Sequence, residues 1–219
     1  MGLTSKELTP GTWRDFEALF GPYRGVRGGC WCAFHLVPSS RFQRMTREER
    51  YAVHRDLATR RKTHGVVVYE DGAPIAWCQF GRPETLSHWE RSPAYRGLGL
   101  SKPTRLWRIT CIFTDKHRRG EGLAKFALHE AVAAIRRRGG GVVEAFPFEV
   151  PGVDRPSYTG TVSMYAAEGF RVVGRMGISR VMRRTVRAIP NRSRRGVPRK
   201  GSSPGQIRTA VARSRASHH

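Results

Sequence analysis

Acidic side chains are scarce in this 219-residue chain: 17 Asp and Glu stand against 40 Lys and Arg, a formal charge of +23. Such an imbalance disfavours polycationic ligands and suits polyanions, whether a phosphate-rich small molecule or RNA. Nine of the basic residues and none of the acidic ones fall in 187–219, leaving 31 against 17, so the body is basic in its own right. No run of 18 apolar residues occurs, and no signal-peptide core stands near the start, so a soluble, cytoplasmic protein without membrane attachment is expected. Met1-Gly2 invites myristoylation, but Lys6 stands where that signal needs Ser or Thr. Cysteine is also sparse. Cys78 and Cys111 lie in strand-like stretches and read as small buried hydrophobes. Cys30 and Cys32, with His35 nearby, are zinc-ligand types, yet the spacing is C-x-C and no second ligand pair follows. They read as free thiols in a packed loop, with no metal. There is no internal repeat.

What the chain does have is a central unit at 107–138: an apolar strand, a basic glycine-rich turn, and a long helix. Residues 106–113 are mostly β-branched or aromatic on both faces, as in a strand buried within a sheet. Residues 123–135 are helix formers without Gly or Pro, about three turns or more. Arg136, Arg137 and Arg138 oppose the C-terminal dipole, and Gly139 ends the helix. Strand and helix meet at Arg119, Gly120, Glu121, Gly122, Leu123 and Ala124. Glycines there let the backbone turn its N–H groups toward a ligand, and a helix N-terminus adds unsatisfied donors and positive dipole, a combination suited to pyrophosphate. No Gly-Lys-Ser/Thr follows, which removes the Walker loop, and no third glycine completes a dinucleotide fingerprint. The pattern that fits is Q/R-x-x-G-x-G/A, with Arg119, Gly122 and Ala124 in its fixed places.

This loop resembles the pyrophosphate loop of the GCN5-related N-acetyltransferase (GNAT) superfamily, which follows the fourth strand and binds acetyl-CoA. A second element agrees. Tyr165, Gly169 and Phe170 match the family's later Y-x-x-x-G-F segment, with a strand at 142–146 lying between the two motifs. The resemblance covers residues 65–185 and implies an α/β fold, the acyl-CoA N-acyltransferase fold, with a mixed central sheet flanked by helices. The expected domain is 1–186, its first 64 residues divergent, followed by a basic, disordered tail at 187–219.

Elsewhere, Thr12 reads as an N-cap before a helix with the apolar stripe Trp13, Phe16, Leu19 and Phe20, stopped by Gly21 and Pro22. Family members commonly begin with a strand, so a leading helix is a departure. Residues 25–29 form a flexible connection into 30–36, either a first strand or a loop lining the acceptor site. Thr46 and Glu49 form a capping box opening a helix to 63, with Val53 and Leu57 as its core contacts. Residues 66–70 and 73–80 form a hairpin around an Asp71-Gly72 type I′ turn. Residues 81–102 read as a loop with a short helix at 86–90, bordering the acceptor pocket. Residues 147–156 are too proline-rich for regular structure; a helix at 159–168 and strands at 170–175 and 178–186 complete the domain.

The resemblance also implies roles. A main-chain N–H of Phe113 or Thr114, Thr114 being the closer match, would meet the thioester carbonyl, and the amides of 119–124 the pyrophosphate. Lys116, Arg118 or Lys125 would reach the 3′-phosphate. Tyr165 matches the family's general acid. The carboxylate that commonly serves as base in the fourth strand is replaced by Arg108, so Glu144 is the substitute base, its alternative being an ion pair with an Arg. The expected reaction is direct acetyl transfer from acetyl-CoA to an amine of unspecified kind. A polycationic acceptor would need an acidic pocket from Glu84, Glu90, Glu144, Glu149 or Asp154. The rival readings are a non-catalytic RNA- or ribosome-binding protein and a zinc regulator centred on Cys30 and Cys32. The tail is compatible with nonspecific nucleic-acid binding, though it carries no aromatics for base stacking.

Overall fold

The structure, a computed structural model, describes residues 2–148 and 158–189. The irregular segment expected at 147–156 falls almost wholly outside these residues, as does the tail beyond 189. Seven strands, β1 (Leu3–Glu7), β2 (His64–Glu70), β3 (Ala73–Gly81), β4 (Leu106–Thr114), β5 (Gly141–Ala145), β6 (Arg171–Met176) and β7 (Ser179–Val186), form one sheet in the order β1-β2-β3-β4-β5-β7-β6. All neighbours are antiparallel except β4 and β5, which run parallel with Leu106–Ile109 alongside Val142–Ala145. Parallel neighbours require a crossover, and here it is α5 (Leu123–Arg137). Leu123, Ala127, Leu128, Ala131, Val132, Ala134 and Ile135 recur on one side of that helix and are buried against the sheet. The larger of these side chains each stabilise by about 2 kcal/mol on burial.

The opposite face carries α1 (Trp13–Phe20), α2 (Ser39–Arg44) and α3 (Arg47–Thr59). Trp13, Phe16, Leu19 and Phe20 pack on Val67, Tyr69, Trp77 and Phe113, with Phe16 edge-on to Trp77 at 4.9 Å between ring centres. The hairpin forms as its sequence dictates, with Asp71 and Gly72 both left-handed at φ 50° and 84°.

Several local expectations are corrected. A strand, β1, precedes α1, so the chain starts as family members commonly do. It was hidden because only Leu3 packs into the core, and its register with β2 (Leu3 opposite Glu70) rests on backbone bonds at a polar edge. Thr12 makes no side-chain cap; Thr9 and Thr12 close a capping box one turn earlier, on the 3-10 turn Pro10–Thr12. The Thr46–Glu49 box forms, but α3 ends at Thr59 and buries His54 and Ala58, one position beyond Val53 and Leu57. Residues 30–36 contain no strand. In place of a helix at 86–90 there are a 3-10 turn, Trp89–Arg91, and α4 (Pro93–Arg96). Finally, α6 (Val162–Ala167) is shorter than the expected 159–168.

One irregularity positions the site. Gln79 pairs with Cys111 and Phe80 with Ile109, which leaves Thr110 as an extra residue in β4. Such a bulge reverses the alternation of side chains. Ile109 faces the α5 core, while Cys111 packs toward the α1 side.

Candidate active site

The turn between β4 and α5 is built as a cradle of donors. Asp115 accepts from Tyr23 Oη at 2.6 Å and from the His117 N–H at 2.9 Å, fixing the exit from β4. Arg118 pairs with Glu70 (2.7 Å) and Glu121 (2.6 Å), which compensates the second acidic side chain of the loop and engages Arg118 itself. Gly122, at φ 80°, is the N-cap of α5 and supplies no side-chain cap, and the first turn holds no acidic residue. Among the described residues, the backbone N–H groups of 119–125 donate to no protein acceptor. A Cβ at Gly120 or Gly122 would project into open space. Seven consecutive free donors at the positive end of a 15-residue helix fit a diphosphate. Arg119 and Lys125 make no ion pair among the described residues, and Lys116 lies over the Tyr23 ring at 4.8 Å.

Upstream, β4 loses its parallel neighbour after Ile109, so its later residues present an open edge toward the β5 side. Ile112 N–H uses this edge to donate to the Tyr158 carbonyl at 2.6 Å, whereas Asp115 N–H donates to Ile75 in β3. Alternation along a strand therefore turns the N–H of Thr114 into the open side and that of Phe113 toward β3. Phe113 instead contributes its ring, packed on Phe20 at 4.8 Å.

Tyr165, on α6, is fully buried on the α5 side, edge-on to Phe170 at 5.2 Å between ring centres. Its hydroxyl has no hydrogen-bond partner among the described residues. Burial first, and then the nearby Cys78 and Cys111 thiols, push the phenol well above its ordinary value, so it stays protonated near neutrality.

On the other side of β4 lies a cavity of about 370 Å³. Phe34, Phe42, Trp89, Phe146 and Tyr158 form much of its wall, with His35, Thr110, Cys111 and Ser179 among its polar members. Its rim is the loop 24–32, held in an uncommon conformation: Arg24, Val26, Arg27, Trp31 and Cys32 all have positive φ. Three contacts keep that shape. Trp31 packs so closely on Gly25 that a Cβ there would come within 2.4 Å of the indole nitrogen; buried His54 bonds the Trp31 carbonyl through Nδ1 at 2.7 Å; and Gln79 Nε2 donates to the Cys32 carbonyl at 3.0 Å. The Cys32 thiol donates to Cys111 Sγ at 3.0 Å, and the four cysteines are free. Of the two sequence readings of 30–36, strand or loop, the loop is observed, and it lines this cavity.

Glu144 lies elsewhere. It sits in a buried row across three strands, between Arg108 on β4 and Arg183 on β7. Arg108 Nε donates to it at 3.2 Å, Arg183 Nε and Nη2 at 2.9 and 2.8 Å, and Tyr95 Oη at 2.9 Å. Arg108 also reaches Glu90 at 2.9 Å and the Leu86 carbonyl at 3.1 Å. Glu144 does not line the aromatic cavity, and Glu84 and Glu90 line a second one near Arg82 and Lys102. Glu149 and Asp154 fall outside the described residues. Sequence reasoning named His35 only as a neighbour of Cys30 and Cys32, not as part of a cavity, and did not single out Trp89 or Tyr158. Their aromatic neighbourhoods were the available signal, but only the fold brings the three segments together.

A donor cradle at the start of a crossover helix, an opened parallel strand pair and a buried tyrosine past that crossover form one arrangement. No curated protein matches the chain. Its fold is similar to that of a GNAT-family protein from Desulfovibrio desulfuricans at 17% identity, covering 84% of this chain and 99% of that one, with a TM-score of 0.50. It is also similar to a protein from Acinetobacter baylyi ADP1 described as an acetyltransferase, at 13% identity, with 84% and 93% covered and a TM-score of 0.50. The PaiA N-acetyltransferase of Thermoplasma acidophilum, solved with coenzyme A, matches at 12% identity over 84% and 99%, TM-score 0.49. The profile of the Acetyltransferase (GNAT) family matches residues 31–170, well over half of the sequence, and the chain belongs to that family.

Proposed function

We propose that the protein transfers an acetyl group from acetyl-CoA to an amine bound in the aromatic cavity, by direct attack with both substrates present. The observation that carries this reading is the run of unpartnered N–H groups at 119–125, set next to the open edge of β4. In this reading those amides and the α5 dipole bind the diphosphate, and Arg119 and Lys125 face the remaining phosphate charge. The N–H of Thr114 lies at the open strand edge and stabilises negative charge developing on the carbonyl oxygen, a fixed dipole that needs no reorganisation. The amine nitrogen forms a bond to the carbonyl carbon, the carbon–sulfur bond breaks, and Tyr165 supplies the proton to the departing sulfur. An unpartnered phenol that stays protonated suits this donor role. We leave Glu144 outside the proton path, because two guanidinium groups and a phenol already occupy its oxygens.

The test is thiol release from acetyl-CoA by the full chain over a panel of primary amines, with mass detection of the N-acetyl product. Amine-dependent release matched one-for-one by acetylated product is expected. Release at one rate with and without every amine would contradict the reading.

A further inference from the structure

We propose that the acceptor is an arylamine, an aromatic ring carrying a primary amine that is uncharged at neutral pH, seated among Phe34, Phe42, Trp89, Phe146 and Tyr158. This rests on the acetyl-transfer reading above and names the substrate class of its second site.

Shape comes first. Trp89 and Phe146 stack at 4.3 Å and 20°, Phe34 stands edge-on to Phe42 at 5.2 Å, and Tyr158 lies nearly parallel to Phe113 at 12°. Flat walls with faces and edges on offer favour a ring. A volume of about 370 Å³ lies at the small end of ligand cavities, which run to roughly 1,000 Å³. One or two rings fit.

Charge decides the nitrogen. Among the described residues no carboxylate lines the cavity. Glu144 and Glu90 are taken by Arg108, Arg183 and Lys102. Arg27 stands at the rim over the Tyr158 ring. His35, nine-tenths buried in the wall, has an Nδ1 with no hydrogen-bond partner among the described residues. Burial, then the charges of His88 and Arg108, push its pKa down to about 3, so it is neutral. The surroundings that strip the proton from His35 oppose an ammonium equally. An alkylamine with a lysine-like pKa is free base in only about one molecule in 10³ at pH 7. An arylamine enters without that penalty. In the transfer its nitrogen gains the acetyl carbon, the thiolate takes the Tyr165 proton, and the proton lost from nitrogen restores the phenol, so amine and thioester become amide and thiol.

The experiment uses 4-ethylaniline and 2-phenylethylamine, isomers that differ chiefly in the basicity of nitrogen, with spermine as a polycation. Each is assayed with the full chain and acetyl-CoA at pH 7, after calorimetry has shown acetyl-CoA bound. The expected kcat/KM for 4-ethylaniline exceeds that for 2-phenylethylamine by about 10²-fold or more, the gap narrows by pH 9 as the alkylamine loses its proton, and spermine is inert. With acetyl-CoA bound, equal or faster acetylation of 2-phenylethylamine or spermine, or none of 4-ethylaniline, overturns the arylamine assignment and leaves acetyl-CoA binding intact. Absence of acetyl-CoA binding overturns the transferase reading as well.

Discussion

Replacing Glu144 by Gln removes the negative charge from a site where Arg108 is fully buried and Arg183 is 13% exposed. Arg108 keeps one carboxylate, Glu90, itself 30% exposed, and Arg183 has a route to solvent beside Ser101. Breaking a buried ion pair by removing one partner costs about 3–5 kcal/mol, and the surviving Glu90 contact points to the lower end, about 3 kcal/mol. For a domain of this size that is a Tm drop of roughly 6–12 °C. Urea unfolding measures the loss. Thiol release at a temperature where the variant remains folded measures catalysis, and kcat within about threefold of the parent is expected. Unchanged stability together with a kcat lowered 10²-fold or more, the size of effect expected for a general base, would refute the structural assignment of Glu144.

Tyr165→Phe should leave stability unchanged or raise it by about 1 kcal/mol, since the deleted hydroxyl is buried without a partner among the described residues. The same change should lower kcat by roughly 10²- to 10⁴-fold with acetyl-CoA affinity intact, and near-normal turnover would remove Tyr165 from the mechanism. Stability should also fall as pH drops from 6.5 to 4. Burial lowers the pKa of His54 to about 4, so the unfolded chain takes up a proton in that window while the folded chain does not, a loss of roughly 3 kcal/mol by pH 4. Denaturant midpoints against pH check this, and His54→Gln should flatten the slope.

Much of the central unit was legible because its signals are local. Strand 106–113, helix 123–135 and the turn between them follow from periodicity, glycine placement and terminal charge, and the observed β4 and α5 begin where those signals begin. The Asp71-Gly72 hairpin is equally local. What failed depended on partners distant in sequence. β1 carries one core-facing apolar residue, and only β2 makes it a strand. The face of α3 is set by where Trp31 and Trp13 meet His54, which its sparse apolar pattern could not reveal. The bulge at Thr110 leaves no mark in a stretch apolar on both sides, yet it decides that Cys111 faces the cavity. Glu144 was visible as an isolated carboxylate in an apolar strand, but the Arg108 and Arg183 that occupy it come from two other strands. The aromatic cavity likewise draws on segments around residues 34, 89 and 146, which no spacing connects.

The central claim is that the backbone at 119–125 holds acetyl-CoA, and calorimetric titration of the parent chain and Gly122→Asp tests it most directly. Gly122 has φ 80° with open space beyond its α-carbon, so the substitution costs about 1–2 kcal/mol of backbone strain, meets no protein atom, and leaves the fold standing. It places a carboxylate where the diphosphate would lie. The account predicts saturable acetyl-CoA binding by the parent and none by folded Gly122→Asp; equal affinity in the two would contradict it.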